Sequence, residues 1–234
     1  MAQIKGIKVS DIVEAALAET VERGFEAATM DGIARRAGIS RSTLQYYFPK
    51  RDVLYVAVRD RIFEPMKVAM TQAADDPSPV RGLRYFIQEY LHYFSSHPPE
   101  RSFYLMGLLR MQSSAVWRLR GNEHESLMRY WLNEMLIKAV GAGEVFEHDT
   151  WSRTVALFCA LEGAIPYLAL GTKPMGYQKV SNRLEHVFLA EILRKTQKAV
   201  KRGRARNPKS KIPNPTPIPA FPRSAEEGAR KRVP

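Results

Sequence analysis

Apolar residues near the start of the chain recur at intervals of three and four. In "VSDIVEAALAETVERGF" they fall at Val9, Ile12, Val13, Ala16, Leu17 and Val21, the spacing of a helix with one buried face. Ser10 is the expected cap, Asp11 suits the positive end of the helix, and Gly24 is the expected stop. Thr29 is the next candidate cap, and Ile33, Ala34 and Ala37 make a short helix that ends at Gly38. A third helix follows Ser40, running from Arg41 to about Tyr47 before Pro49 breaks it. A longer helix begins near Lys50 and continues through Leu54, Val58 and Ile62 to beyond Pro65.

From about residue 67 the same periodicity persists on a larger scale. "DDPSP" (75–79) and "SSHPP" (95–99) flank a helix rich in Tyr and Phe. Further helices are expected at about 100–112, 121–140, 150–171 and 178–200. No stretch alternates apolar and polar residues long enough to argue for strands, so the pattern predicts an all-α protein. The longest apolar stretch, "VALFCALEGAIPYLALGT" (155–172), contains Glu162 and Pro166. It reads as a buried helix, because a carboxylate at the centre of a membrane span is costly.

Composition changes the picture mainly at the C-terminus. Residues 201–234 hold seven of the fifteen prolines and few large apolar side chains, so a disordered basic tail of polyproline character is expected there. The formal net charge of +12 is concentrated in the same region. Residues 194–234 carry 13 Lys/Arg against 2 acids, leaving 23 against 22 in residues 1–193. Overall charge therefore does not mark the folded part as a nucleic-acid binder. Local charge is more informative: Arg35, Arg36, Arg41, Lys50 and Arg51 lie between Gly32 and Arg51 with no acid among them. A single cysteine, Cys159, excludes an intrachain disulfide, and "MAQIKGIKV" has no apolar leader core, so a cytoplasmic location is expected.

Two short helices joined at Gly38 form a helix-turn-helix pattern spanning about 29–48. Gly38 permits the left-handed conformation, Ile39 anchors the turn, and Ser40 caps the second helix. Such a helix fits a major groove, where Arg41 suits guanine and Gln45 suits adenine through paired hydrogen bonds. Tyr46, Tyr47, Lys50 and Arg51 suit phosphates. The same pattern also fits plain packing, with the aromatics as core and the basic pair as a solvated helix start. Spacing alone leaves both readings open.

The stretch "GFEAATMDGIARRAGISRSTLQYYFPKRDVL" (24–54) closely resembles the N-terminal DNA-binding domain of the TetR family of bacterial transcriptional regulators. The likeness covers roughly residues 8–60 and includes "IARRAG", Ser-Arg-x-Thr-Leu and Tyr-Tyr-Phe. It implies a three-helix DNA-binding domain over 6–66 and a larger effector-binding and dimerisation domain over 67–200, about nine helices in all. It further implies contacts to a double-stranded operator from Thr29, Arg41, Ser42, Thr43, Gln45, Tyr46, Tyr47 and Arg51, to which the basic side chain of Lys50 adds a candidate phosphate contact. Three positions depart from the family pattern. Gln45 replaces a tyrosine, Lys50 replaces a capping residue, and Gly32 replaces an acid at a propensity cost of about 1 kcal/mol.

The resemblance also implies a homodimer and a small-molecule pocket. Ala160, Gly163, Ala164, Leu184 and Phe188 are candidate dimer contacts. Phe86, Tyr90, Tyr104, Trp131, Phe158 and Glu162 are candidate effector contacts, with Glu162 the most informative polar one. No cofactor, metal or membrane partner is expected. "GAG" (141–143) reads as a helix stop, the five histidines form no His-x-x-x-His pair, and Cys159 has no partner thiol. An enzyme is therefore disfavoured. The alternative is a nucleic-acid binder without ligand control that acts partly through its basic tail.

Overall fold

The computed structural model describes residues 8–170 and 176–193, and every regular element among them is helical. The expected tail over 201–234, and the part of the last expected helix past residue 193, lie outside the described residues.

Helix α1 (Val9–Arg23) buries Ile12, Val13, Ala16 and Leu17, as the spacing predicts. The expected Ser10 cap is not formed. The helix starts at Lys8, whose carbonyl accepts the Asp11 N–H at 3.0 Å, so Ser10 falls inside the first turn and donates to Asp11 Oδ1 at 3.5 Å. Helix α2 (Met30–Arg36) is capped by Thr29, whose Oγ1 accepts the Gly32 N–H at 3.0 Å. Helix α3 (Arg41–Tyr47) is capped by Ser40, whose Oγ accepts the Thr43 N–H at 3.0 Å. Each cap satisfies an N–H that the first helical turn otherwise leaves bare.

Helix α4 (Arg51–Ala74) is long and passes without a break over residue 66, where the sequence suggests a domain boundary. Lys50 stands at its start without a side-chain cap. The remaining helices are α5 (Pro79–Ser96), α6 (Pro98–Arg110), α7 (Ala115–Gly141), α8 (Thr150–Ala169) and α9 (Tyr177–Glu185), the last followed by one wider, π-type turn over His186–Ala190. Helix α7 begins six residues before the position expected from periodicity. Ser114 caps it by accepting the Trp117 N–H at 3.3 Å, and the buried Trp117 ring fixes that first turn.

Helix α5 lies in the middle of the larger part, packed against α4, α7, α8 and α9. Leu83, Phe86, Ile87, Tyr90, Leu91 and Phe94 on it are all fully buried. Helices α1 to α3 pack on one another and on the first half of α4. Phe25, just after α1, joins the two parts. Its ring lies 4.9 Å from Tyr55 on α4, 5.0 Å from Phe103 on α6 and 5.7 Å from Trp117 on α7. Aromatic contacts of this kind resist sliding, so the first three helices are tied to α6 and α7 as well as to α4.

Candidate DNA-binding surface and regulatory core

The turn between α2 and α3 follows from one residue. Gly38 has φ 70°, in the left-handed region, and its N–H donates to Arg35 O at 3.1 Å while that of Ile39 reaches Ala34 O at 3.0 Å. Ile33, Ala34, Leu44 and Phe48 turn inward to the core. The opposite face of α3 is thereby left in solvent. Arg41, Ser42, Gln45 and Tyr46 are exposed, Tyr46 by 73%. So large an exposed tyrosine needs a reason beyond packing.

The remaining expected contacts surround this face. Thr29 is exposed at the start of α2. Ser40 Oγ lies 2.8 Å from Ser42 Oγ and 2.7 Å from Thr43 Oγ1, so both hydroxyls already join a small network at the start of α3. Thr43 and Tyr47 are half-buried, and the Tyr46 and Tyr47 rings meet edge-on with centroids 5.3 Å apart. Lys50 is exposed. Arg51 is not free: its Nη1 donates to Ala28 O at 3.2 Å and its guanidinium lies 5.8 Å from the Tyr55 ring centroid. Part of its function is therefore to hold α4 against the end of the α1–α2 connection.

Asp52 lies in the first turn of α4, where an acid suits the positive end of the helix. Its carboxylate accepts Arg110 Nη2 at 3.3 Å and Ser114 Oγ at 2.9 Å, and Arg110 Nη1 also donates to Glu26 at 2.7 Å. The turn between α6 and α7 therefore grips the first turn of α4.

Among the expected pocket residues, Phe86, Tyr90, Tyr104 and Phe158 are buried and Trp131 is half-buried. Phe86 packs on Trp131 at 4.9 Å and on Tyr90 at 5.8 Å, whereas Phe158 lies under Arg129 at 5.0 Å. Glu162 forms no salt bridge among the described residues. It accepts hydrogen bonds from Tyr90 Oη at 2.6 Å and from Tyr104 Oη. Burial raises the Glu162 carboxyl above its usual range, opposed by those two hydrogen bonds. Burial, with Glu162 nearby, raises both tyrosine pKa values well above theirs.

Residues 12–58 match the family model "Bacterial regulatory proteins, tetR family". The HTH-type transcriptional regulator RutR of Escherichia coli K12 is 28% identical over 102 residues, covering 44% of this chain and 48% of that one. A TetR transcription regulator from Haloarcula marismortui has the same fold, with TM-score 0.72, 18% identity, and coverage of 78% of this chain and 96% of that one. Over residues 12–58 the chain is similar to the tetR family of regulators. It spans about half the length of the curated relative it matches. The regulator FadR of Bacillus subtilis, solved with stearoyl-CoA, also shares the fold, with TM-score 0.66, 16% identity, and coverage of 78% and 98%.

Outside the matched residues, the outward side of α8 is apolar. Trp151, Val155, Cys159, Gly163 and Tyr167 recur along it at intervals of four and are exposed. A Cβ on Gly163 would meet nothing within 4 Å, so the position is open in the single chain. Ala164 instead faces the core, while Ala160, Leu184 and Phe188 are half-buried. Among the described residues no helix is long and apolar enough to cross a membrane, and no group of three His, Cys, Asp or Glu side chains could hold a metal ion.

A linked set of polar residues escaped the sequence reading. Arg59 on α4 donates through Nε to His124 Nδ1 at 3.4 Å. His124 Nε2 faces Asp60 Oδ1 at 3.3 Å, and Arg120 clasps both Asp60 oxygens at 2.9 Å. The signal was present: Arg59 lies on the same helical face as Tyr55, Ile62, Phe63 and Met66, where a cation is unexpected.

Proposed function

We propose that this chain is a DNA-binding transcriptional regulator that acts as a homodimer and is released from its operator by a small-molecule effector. The observation that carries the reading is the division of α3. Leu44 is fully buried while Arg41, Ser42, Gln45 and Tyr46 are exposed on the opposite face, as a helix lying in a major groove requires. Arg41 and Gln45 read base edges, because both can form paired hydrogen bonds there. Thr29, Ser42, Thr43, Tyr46, Tyr47, Lys50 and Arg51 hold phosphates and fix the register.

The exposed apolar stripe on α8 supports pairing of two chains through α8 and α9. Pairing sets two reading helices about one DNA turn apart. The effector acts in the aromatic region around Phe86, Tyr90, Tyr104, Trp131, Phe158 and Glu162. The structural relative solved with stearoyl-CoA supports this, because its helical frame carries a small molecule.

Selection of duplexes from a random pool by the full-length chain tests the reading. The expected product is a two-fold sequence with half-sites about 10 base pairs apart, bound by a dimer in sedimentation. Recovery of duplexes without a common sequence, with retention abolished by truncation after Val200, would favour the basic-tail alternative.

A further inference from the structure

Arg59 is 2% exposed, yet none of its hydrogen bonds is to a carboxylate. Its Nε donates to His124, its Nη1 reaches the Met111 sulfur at 3.7 Å, and its Nη2 is buried with no partner among the described residues. A thioether is a weak acceptor, so the fork of the guanidinium is poorly satisfied. The acids around Arg59 are already engaged. Asp60 is clasped by Arg120, Glu162 takes the Tyr90 and Tyr104 hydroxyls, and Glu125 pairs with Arg129 at 3.5 Å. Burial of a cation without a matched anion is unfavourable, and it lowers the Arg59 pKa.

Rings surround the cation. The centroids of Phe63, Trp117 and Tyr104 lie 5.3, 5.7 and 5.8 Å from the guanidinium carbon. They offer apolar contact to the body of a ligand whose charged end meets Nη1 and Nη2. Met111, just after α6, is half-buried and unbranched, so it can swing aside. Gly121 leaves it room. A Cβ there would meet Met111 Sδ at 2.9 Å and Arg59 Nη1 at 3.2 Å.

We propose that Arg59 anchors a small monocarboxylate with an aromatic or alicyclic body, its two oxygens pairing with Nη1 and Nη2 once Met111 moves away. This rests on the reading of the chain as an effector-controlled regulator and names the chemistry of the effector, whose charged end would lie at Arg59 where the aromatic region begins at Tyr104. A single negative charge fits better than a dianion, because Asp60, Glu125 and Glu162 lie nearby. The site also has a direct route to the DNA-binding helices. Met111 adjoins Arg110 and Ser114, which hold Asp52 at the start of α4, and Arg59 lies on α4 itself. Displacing Met111 therefore disturbs the turn that fixes α4 against α1 to α3.

The test is calorimetric titration of the full chain with benzoate, phenylacetate and cyclohexanecarboxylate, with their primary amides, and with inorganic phosphate. The acids should bind at least about tenfold more tightly than the amides, the scale of a hydrogen-bonded charge pair, and more tightly than phosphate. Arg59→Gln should remove the preference for acids, and Gly121→Ala should weaken acid binding. Equal binding of acid and amide, phosphate binding as tight as the acids, or no acid binding at millimolar concentration would each overturn the proposal. The acid–amide comparison uses the wild type, so it stands even if Arg59→Gln fails to fold. Duplex selection by the same preparation separates the two readings. Sequence-selective DNA binding without acid binding sinks this inference alone. Acid binding through Arg59 without duplex selection upholds the anion site and sinks the regulator reading.

Discussion

Arg41 donates through Nη1 to Oδ2 of Asp31, joining the first residue of α3 to the first turn of α2. Both side chains are about half exposed, so the pair contributes less than about 1 kcal/mol and yields readily to a better partner. On the proposed reading, Arg41 therefore exchanges Asp31 for a base edge when DNA binds. Arg41→Ala and Gln45→Ala should each cost about 1–3 kcal/mol on the selected operator and relax one or two base positions, with a smaller loss on scrambled duplex. Asp31→Asn should strengthen binding to both duplexes, because it removes a negative charge near the phosphates. Equal losses for Arg41→Ala on operator and scrambled DNA would show that the residue does not read bases.

Lys50 and Arg51 separate in the same assay. Exposed Lys50 makes no side-chain bond among the described residues, so Lys50→Ala should leave the melting temperature unchanged and lower the log–log salt slope by about one unit. Arg51→Ala should reduce DNA affinity and also cost about 0.5–1.5 kcal/mol of stability, because Ala28 O loses its donor. Denaturant melts beside salt-series binding check both. An unchanged melt for Arg51→Ala contradicts the structural part of its role.

Gly163→Arg tests the apolar stripe. The position is open in the single chain, so the variant should keep wild-type helicity and melt as a folded monomer. An arginine buried unpaired between two copies should weaken association by about 3 kcal/mol or more. Sedimentation at micromolar concentration reads the outcome, and a variant that remains dimeric places the interface elsewhere.

Gly32 lies inside α2, where alanine ordinarily stabilises by about 1 kcal/mol. Here a Cβ would run into the Glu19 carboxylate, which is buried and held by Arg23 and Arg36, each at 2.9 Å. Gly32→Ala should therefore lower the melting temperature in the wild-type background. In a Glu19→Ala background the same change should raise stability by about 0.5–1 kcal/mol, since only the propensity gain remains. The same sign in both backgrounds would refute the steric account.

His124 sets a pH dependence. Its Nδ1 accepts from Arg59, so the neutral ring is the form the fold holds, and burial lowers its pKa below the ordinary 6.5. A depressed folded value means that stability is full above pH 6.5 and declines as pH falls towards the lowered value. Protonation would also place a cation between Arg59 and Arg120, against the attraction of Asp60. Glu162 acts in the opposite sense. Its value is raised above 4.5, so its contribution is full below that pH and is lost as pH rises. Melting curves across this range should flatten in His124→Gln and show a steeper rise with pH in Glu162→Gln. A His124→Gln curve parallel to wild type would rule out His124 as the titrating group.

The sequence by itself determined most of the helices and which face of α3 is exposed. Apolar residues three and four apart can be buried together only on one side of a helix, and Thr29, Ser40 and Gly38 act within a single turn of their own positions. The two α3 faces were legible for that reason, since Leu44 and Phe48 must turn inward and Arg41 and Gln45 then cannot. The extra turns at the start of α7 were less legible, because Ser114 caps a stretch whose inward anchor is the single Trp117.

Tertiary structure decided what residues distant in sequence do to one another. Arg59 escaped the sequence reading although it lies on an apolar face, because only the packing of α4 against α6 and α7 sets it beside Met111, His124 and Trp117. Asp52 sits in the first turn of α4, but only the packing of the α6–α7 turn brings Arg110 and Ser114 to it. Gly32 looked like a weak helix residue until Glu19 filled the space beside it. Helix periodicity is a local property set by backbone geometry. Charge pairing and steric room are not local, because they depend on which helices the buried faces bring together.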